Sequence, residues 1–358
     1  MSRFFSKKYE ALKPYVPGEQ PSDGSYIKLN TNESPFLPSD AALGYAAEHV
    51  RTFNLYSDPD CTELKDILAQ KLGLEKEDLV IGNGSDEILN FAFMAFCDDS
   101  CPAYFPDITY GFYKGFSRVN NIPYGEIPLK SDFSLETDDY KALKGTIFIA
   151  NPNAPTGKAL PPEKIEEVLK DHPDNIVVVD EAYVDFGAQS CIPLIKKYDN
   201  LLVVQTFSKS RSLAGARVGY AIGNAALIED LERIKYSTNP YNVNRLSMTA
   251  ACEAVKDKAY YGRMCHKVVS VREYVSLELK ALGFDLTESM ANFVFVKKEG
   301  YDGKQLYLDL KKEGILVRHF NDGRIGEYNR ITIGTEDQMK RFIEVAGRLI
   351  GNQLSIYT

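Results

Sequence analysis

An α/β fold, with a mostly parallel sheet covered by helices and a smaller α+β unit after it, is what the hydrophobic pattern of this chain predicts. Short apolar runs of strand length alternate with amphipathic helical segments as far as Thr206, the pattern of a sheet buried on both faces. After about Tyr236 the rhythm changes to strands interleaved with helices. Size agrees with a second unit, since 358 residues exceed what one hydrophobic core holds together.

Taken in order, the elements are these. Pro14 to Pro21, with a further proline at 17, reads as an extended arm. Leu64, Ile67, Leu68 and Leu72 recur at helical spacing, and Gly73 is a C-terminal stop. Val80-Ile81 is a strand that leads through Gly82-Asn83-Gly84-Ser85-Asp86-Glu87 into a buried helix over Ile88 to Phe93. Thr146 to Ala150 is a strand, and Ile165, Val168 and Leu169 are the apolar stripe of a helix opened by Pro161-Pro162. Ile176 to Val179 and Leu201 to Thr206 are two further strands. Val268, Val271, Val275, Leu279 and Leu282 mark a long amphipathic helix. Phe293 to Val296, Ile315 to Arg318 and Arg330 to Ile333 read as strands. One helix lies around Leu306 and Leu310, and a last one carries Met339, Phe342, Ile343, Ala346 and Leu349. The expected division is an arm at 1–30, a large unit at 31–240 and a small unit at 241–358, with the arm packed on the small unit.

Composition narrows the function classes. Hydrophobic residues make up 44% and charged ones 26%, an ordinary globular balance. A net charge of −8 offers no positive field for nucleic acid. No stretch has the length of a membrane span, and Met1 to Lys8 lacks the apolar core of a secretory signal. The six cysteines are scattered without a CxxC pair, which argues against a structural metal and for free thiols in a reducing cytoplasm.

Four constellations carry chemistry. Lys209 follows the strand Leu201 to Thr206, and ligands of open α/β sheets bind at the carboxyl ends of strands. A lysine desolvated there is a nucleophilic amine able to form a Schiff base, and Ser208 and Arg217 beside it can hold a phosphate. Ser85 and Asp86 stand at the start of a helix after a glycine turn, a place that favours an anion. Glu87 stands where the third glycine of a dinucleotide fingerprint would be, which speaks against a nicotinamide cofactor. Asp180 ends a strand among apolar residues, where a carboxylate is costly unless it meets a cation such as a protonated pyridine. Asn151-Pro152-Asn153-Ala154-Pro155-Thr156-Gly157 is a tight turn whose amides can reach a ligand, and Tyr110 can stack on a flat ring. Each alone is explained by turn, cap or core chemistry. Together they point to pyridoxal phosphate.

In this order, Asn153 to Gly157, Asp180-Glu181-Ala182-Tyr183, and Ser208-Lys209 with Leu213 to Tyr220 resemble the fold type I pyridoxal phosphate enzymes. The class I and II aminotransferase superfamily is the specific resemblance, over essentially the whole chain. Within it, Pro14 to Pro21, Leu29 to Pro35, Tyr56 to Pro59 and Arg330 to Thr335 are similar to the histidinol-phosphate aminotransferases. The resemblance implies pyridoxal 5'-phosphate as cofactor, with Lys209 holding it covalently and shuttling a proton, and Asp180 paired with the ring nitrogen. It implies Tyr183 and Asn153 on the phenolic oxygen, Tyr110 on the ring, and Ser85, Asp86, Ser208 and Arg217 around the phosphate. Tyr56 would reach in from the second subunit of a homodimer, and Tyr15, Arg318 and Arg330 would face the substrate. The expected substrates are a phosphorylated amine and the glutamate/2-oxoglutarate pair. One departure is visible, because Ala154 stands where the family pattern has asparagine before Pro-Thr-Gly. Arg318 and Arg330 hold a phosphate or a carboxylate with equal ease. An aromatic aminotransferase or a decarboxylase of a phosphorylated amino acid therefore stays open on the same scaffold. A non-catalytic cofactor-binding protein is the alternative from another class, disfavoured by the full set of lysine, aspartate and phosphate ligands.

Overall fold

Valine dominates the centre of the large sheet because both of its faces are buried. The computed structural model describes residues 2–354 except 11, 13, 15, 22, 23 and 322. The chain begins with β1 (Ile27–Lys28), α1 (Asp40–Glu48), α2 (Thr62–Leu72), β2 (Leu79–Gly82), α3 (Gly84–Phe96) and β3 (Ala103–Pro106). It continues through α4 (Phe112–Asn120), β4 (Tyr124–Ile127), β5 (Thr146–Ala150), α5 (Pro162–Asp171), β6 (Val177–Asp180) and β7 (Leu201–Thr206). Next come β8 (Gly219–Gly223), α6 (Ala225–Thr238), α7 (Arg245–Lys256), α8 (Lys258–Ala281), β9 (Phe284–Leu286) and β10 (Phe293–Lys298). The chain closes with α9 (Gly303–Lys312), β11 (Ile315–Leu316), β12 (Arg318–His319), β13 (Asn329–Thr332) and α10 (Glu336–Leu354).

Seven strands form the large sheet in the order β2-β8-β7-β6-β5-β3-β4. All pairs are parallel except those of β8, which runs against both β7 and β2. The period of two along each strand sorts the side chains. Val177, Val179, Leu201 and Val203 pack with α2, α5 and α7 on one face, and Val178, Leu202 and Val204 pack with α3 and α6 on the other. The predicted caps act as expected: α2 stops at Gly73, whose φ of 67° is left-handed, and α5 starts on Pro162.

The smaller unit holds a four-stranded antiparallel sheet in the order β12-β13-β10-β9. β1 pairs parallel with β11 and ties the N-terminal segment to this unit. Helix α7 lies after the division expected at 240, yet its Met248, Ala251 and Val255 sit in the large sheet's core. In α8, Tyr261 still belongs to that core, whereas Cys265 and Val268 join the small one. On packing, we propose that the division falls inside α8, between Tyr261 and Cys265.

Three strands of the large sheet are absent from the sequence reading, and each has a local reason. β3 ends in proline, β4 is a partly exposed edge with one glycine, and β8 opens and closes on glycine. Gly219 is required by packing, because a Cβ there would lie 2.4 Å from the backbone nitrogen of Ser85.

Candidate active site

β5, β6 and β7 are parallel neighbours, so Ala150, Asp180 and Thr206 finish at one edge of the sheet. The reversed β8 starts at that same edge, bringing Gly219 and the preceding Arg217 beside Gly82 and the N-terminus of α3. A cavity of about 330 Å³ lies there. Ser85, Asp86, Tyr110, Asp180, Tyr183, Ser208, Lys209 and Arg217 all line it, so residues scattered over more than a hundred positions converge. A second cavity, of about 350 Å³, shares Thr31, Tyr110, Ala154, Tyr183 and Lys209 with the first and is also lined by Arg318, Phe320 and Arg330.

Asp180 is buried. The Tyr113 hydroxyl donates to its Oδ2 at 3.1 Å and the Ala182 N–H to its Oδ1 at 3.2 Å. No described residue forms an ion pair with it. Burial pushes its carboxyl up to about 7, against those two hydrogen bonds. The adjacent Glu181 shows the contrast, with the Cys191 N–H, the Ser190 hydroxyl and the Gln205 amide donating to it at 2.6, 2.6 and 2.7 Å. Glu181 is saturated by its own surroundings, and Asp180 has an open cavity in front of it.

At the other end of the cavity, Arg217 adopts a left-handed backbone at φ 54°. Its Nη2 donates to Asp86 Oδ2 at 2.8 Å, and the Tyr110 hydroxyl donates to Asp86 Oδ1 at 2.6 Å. Burial, with the Asp86 charge beside it, holds the Tyr110 phenol well above its ordinary range, so Tyr110 stays a neutral donor. The Asp86 carboxylate is thus occupied with Arg217 and Tyr110, and what it can offer an anion is its backbone N–H at the start of α3. Ser208 is buried, and the Thr206 hydroxyl donates to its Oγ at 2.9 Å. Lys209 is half-buried, with Nζ 3.4 Å from the Thr31 carbonyl oxygen and 5.8 Å from the centre of the Tyr183 ring.

Arg318 and Arg330 are direct partners across β12 and β13. Arg318 donates to the Val16 carbonyl at 3.0 Å and Arg330 to the Asn30 carbonyl at 3.1 Å. The Arg330 guanidinium also lies over Phe293 and Phe320, at 5.3 and 5.7 Å from their ring centres.

Asn153 requires a correction. Its amide nitrogen donates to the Ile108 carbonyl and the Thr156 hydroxyl, both at 3.0 Å, and its oxygen accepts from Thr109 at 2.7 Å. Its amide is consumed by the 108–109 loop and by its own turn, and it is Ala154 that lines the cavity. Tyr56 is 78% exposed, stacks on Tyr241 at 4.5 Å and lines neither cavity of its own chain. Tyr15 lies outside the described residues. Sequence reasoning missed Tyr113, Thr206 and the loop Thr31-Asn32-Glu33. Tyr113 follows Tyr110 by one helical turn, but only the fold shows that it meets Asp180.

Residues 25–345 match the family described as aminotransferase class I and II. The chain belongs to this family. It is 49% identical to the histidinol-phosphate aminotransferase of Brachyspira hyodysenteriae over 354 residues, covering 98% of this chain and 100% of that protein. It is 52% identical to the histidinol-phosphate aminotransferase of a Marinomonas species over 343 residues, covering 95% of this chain and 97% of that protein. Among solved structures, the histidinol-phosphate aminotransferase of Sinorhizobium meliloti in complex with pyridoxal-5'-phosphate superposes with a TM-score of 0.89 over 99% of both chains. At 22% identity that likeness speaks for the fold alone.

This aminotransferase, like its family, works with pyridoxal phosphate. The cavity fits the cofactor at both ends. A Cβ at Gly84 would lie 2.5 Å from the Arg217 guanidinium, so the glycine keeps that cation beside the first N–H groups of α3. At the opposite end the buried, unpaired Asp180 suits a protonated ring nitrogen.

Asp180 has a measurable signature. Its folded-state pKa of about 7 stands above the ordinary 3.8, so the ionised form costs stability in the protein stripped of cofactor. That cost is complete above about pH 7, shrinks as the pH falls through 7, and is gone near 4. Stripped Asp180→Asn protein is expected to melt several degrees above stripped wild type at about pH 8, the gap closing toward about pH 5. Thermal scans at the two pH values check this, and equal melting temperatures at both would show that Asp180 has a partner in the folded chain.

Proposed function

We propose that this aminotransferase moves an amino group between histidinol phosphate and 2-oxoglutarate, interconverting them with imidazole-acetol phosphate and glutamate, a step of histidine biosynthesis. One observation carries the substrate reading: Arg318 and Arg330 stand opposite each other on adjacent strands and both line the cavity that opens onto Lys209. Like charges directly opposite on a sheet repel. An anion between them offsets the repulsion and gains charge-assisted hydrogen bonds. Each proposed amino donor ends in such a group, a phosphate on histidinol phosphate and a side-chain carboxylate on glutamate. The names of the near relatives support the same pair.

Bound in the first cavity, pyridoxal phosphate supplies an aldehyde carbon that carries the amino group and a ring that accepts electrons as the substrate's α-proton leaves. We assign the remaining work to residues of this chain. Lys209 Nζ would hold the cofactor covalently and, once freed, would carry the proton from the substrate's α-carbon to the cofactor's former aldehyde carbon. Asp180 would keep a proton on the ring nitrogen, Tyr183 would donate to the ring oxygen, and Tyr110 would stack on the ring, all three lining the same cavity. Ser85, Ser208, Arg217 and the Asp86 N–H hold the phosphate, an arrangement supported by their common place on the cavity wall.

A homodimer is part of the proposal. Phe53, Leu55 and Tyr56 lie close together along the chain and are 63%, 60% and 78% exposed, an apolar patch that suits a second copy. Covered in that way, Tyr56 of one protomer would reach the cavity of its partner.

Three measurements test the proposal. Borohydride reduction of the holoenzyme followed by peptide mapping is expected to label Lys209, and a label on any other lysine would sink the assignment. Catalytic efficiency with histidinol phosphate should exceed that with histidinol on the order of a hundredfold or more, the loss expected for charge-assisted hydrogen bonds to two arginines. Equal efficiencies would favour an aromatic aminotransferase. Sedimentation at micromolar concentration should read a dimer, and a monomer that retains full activity would remove Tyr56 from the site.

A further inference from the structure

We propose that Asn32 is a positioning residue that turns the Tyr183 hydroxyl proton into the cofactor cavity, compensating for the amide that Ala154 lacks. The argument follows individual protons. The backbone N–H of Asn32 donates to Thr332 Oγ1 at 3.0 Å, so that oxygen acts as an acceptor there. The single Thr332 hydroxyl proton then goes to Asn32 Oδ1, also at 3.0 Å. With Oδ1 committed as an acceptor, the Asn32 amide group must face Tyr183 with its nitrogen, and Nδ2 donates to the Tyr183 oxygen at 2.9 Å. A phenol that accepts from Asn32 cannot also donate to it. Its proton is directed elsewhere, and Tyr183 lines both cavities.

The surroundings hold this arrangement in place. Asn32 is buried and left-handed at φ 56°, a conformation that asparagine tolerates better than most residues. Its carbonyl accepts from the Asn292 amide at 3.0 Å. The Tyr183 ring meets Phe293 edge-on, with centres 5.2 Å apart at 88°, and Ala154 packs with Ala291 and Phe293 against it. Ala154 therefore gives Tyr183 an apolar wall and no hydrogen bond, and the Asn153 amide is engaged with Ile108, Thr109 and Thr156. The polar hold on the tyrosine comes from residue 32, about 150 positions away.

This inference rests on the cofactor reading above. A donor to the ring oxygen stabilises its negative charge; without it, the proton shared with the Lys209 adduct leaves at higher pH. The test is a pH titration of the visible absorption of the holoenzyme. Asn32→Gly removes the amide, and glycine takes the left-handed backbone without strain. The absorption transition is expected to move up by about one pH unit, the size of one net hydrogen bond. With Tyr183→Phe as background, the same substitution should move it by less than about 0.3 unit, because the effect acts through that hydroxyl. A transition in Asn32→Gly within about 0.2 unit of wild type, or a shift as large in the Tyr183→Phe background as in the wild-type one, overturns the inference. Asn32→Ala serves as the second variant should glycine loosen the loop. Wild-type protein with no visible absorption after loading would instead fail the cofactor reading, so the two failures are distinguishable.

Discussion

A carboxylate buried without a cation is the constraint on which the rest of this structure depends. Asp180 ends β6 between two strands that end at the same edge, buried at one end of the cavity and in an ion pair with no described residue. Burial on this scale costs several kcal/mol unless a positive group arrives. The fold does not relieve the cost, although it does so for the next residue, since Glu181 receives three donors. Two neighbouring acids, the last residue of β6 and the one after it, are thus treated differently. One is a satisfied structural group and the other waits for a ligand. The hydrogen bonds from Tyr113 and the Ala182 N–H orient Asp180 while leaving its charge uncompensated.

The opposite end of the cavity is built by reversing one strand. If β8 ran parallel to β7, its start would lie at the far edge of the sheet, and Arg217 with it. Running antiparallel, β8 begins beside the N-terminus of α3, and the Gly219 backbone lies so close to Ser85 that no side chain fits. Three residues other than glycine are held left-handed in and around the site: Asn32, Ser212 and Arg217, at φ 56°, 55° and 54°. Each costs on the order of 1 kcal/mol and persists because its contacts outweigh that cost. Arg217 is tied to Asp86, Ser212 to Ser34, and Asn32 to Thr332 and Tyr183.

Much of this was legible in the sequence where chemistry and chain direction coincide. A run such as Val177 to Val179 followed by an acid, or Leu201 to Thr206 followed by Ser208-Lys209, states both a buried strand and what stands at its end. Glycine turns and helix starts are equally local, and so Ser85, Asp86 and Arg217 were legible. What stayed hidden is decided by packing between distant segments. Strand β8 has too little apolar length to announce itself, and α7 has the composition of either unit but belongs to the large core. The partners of Asn153 stayed hidden because one residue along a turn exchanges the cavity wall for contacts with Ile108, Thr109 and Thr156, and no periodicity reports that choice. The loop Thr31 to Glu33 carried part of the family resemblance but no sign of its contacts, since its neighbours lie some 150 to 300 positions away.

That loop is also where the two units meet at the chemistry. β13 carries Arg330, which lines the second cavity, and two residues later Thr332, which holds Asn32 and through it Tyr183. Along a strand, residues two apart project to the same face. The same face of β13 therefore presents a cation to the second cavity and, through Asn32, sets the Tyr183 hydroxyl beside the first. The Arg330 guanidinium donates to the Asn30 carbonyl and the Thr332 hydroxyl to Asn32, so both contacts grip a single stretch of the N-terminal segment. A displacement of β13 relative to the large sheet would shift both contacts together. On the proposed function, substrate anion and cofactor oxygen would both be read through β13, and the precision of the site would depend on how firmly that strand is seated.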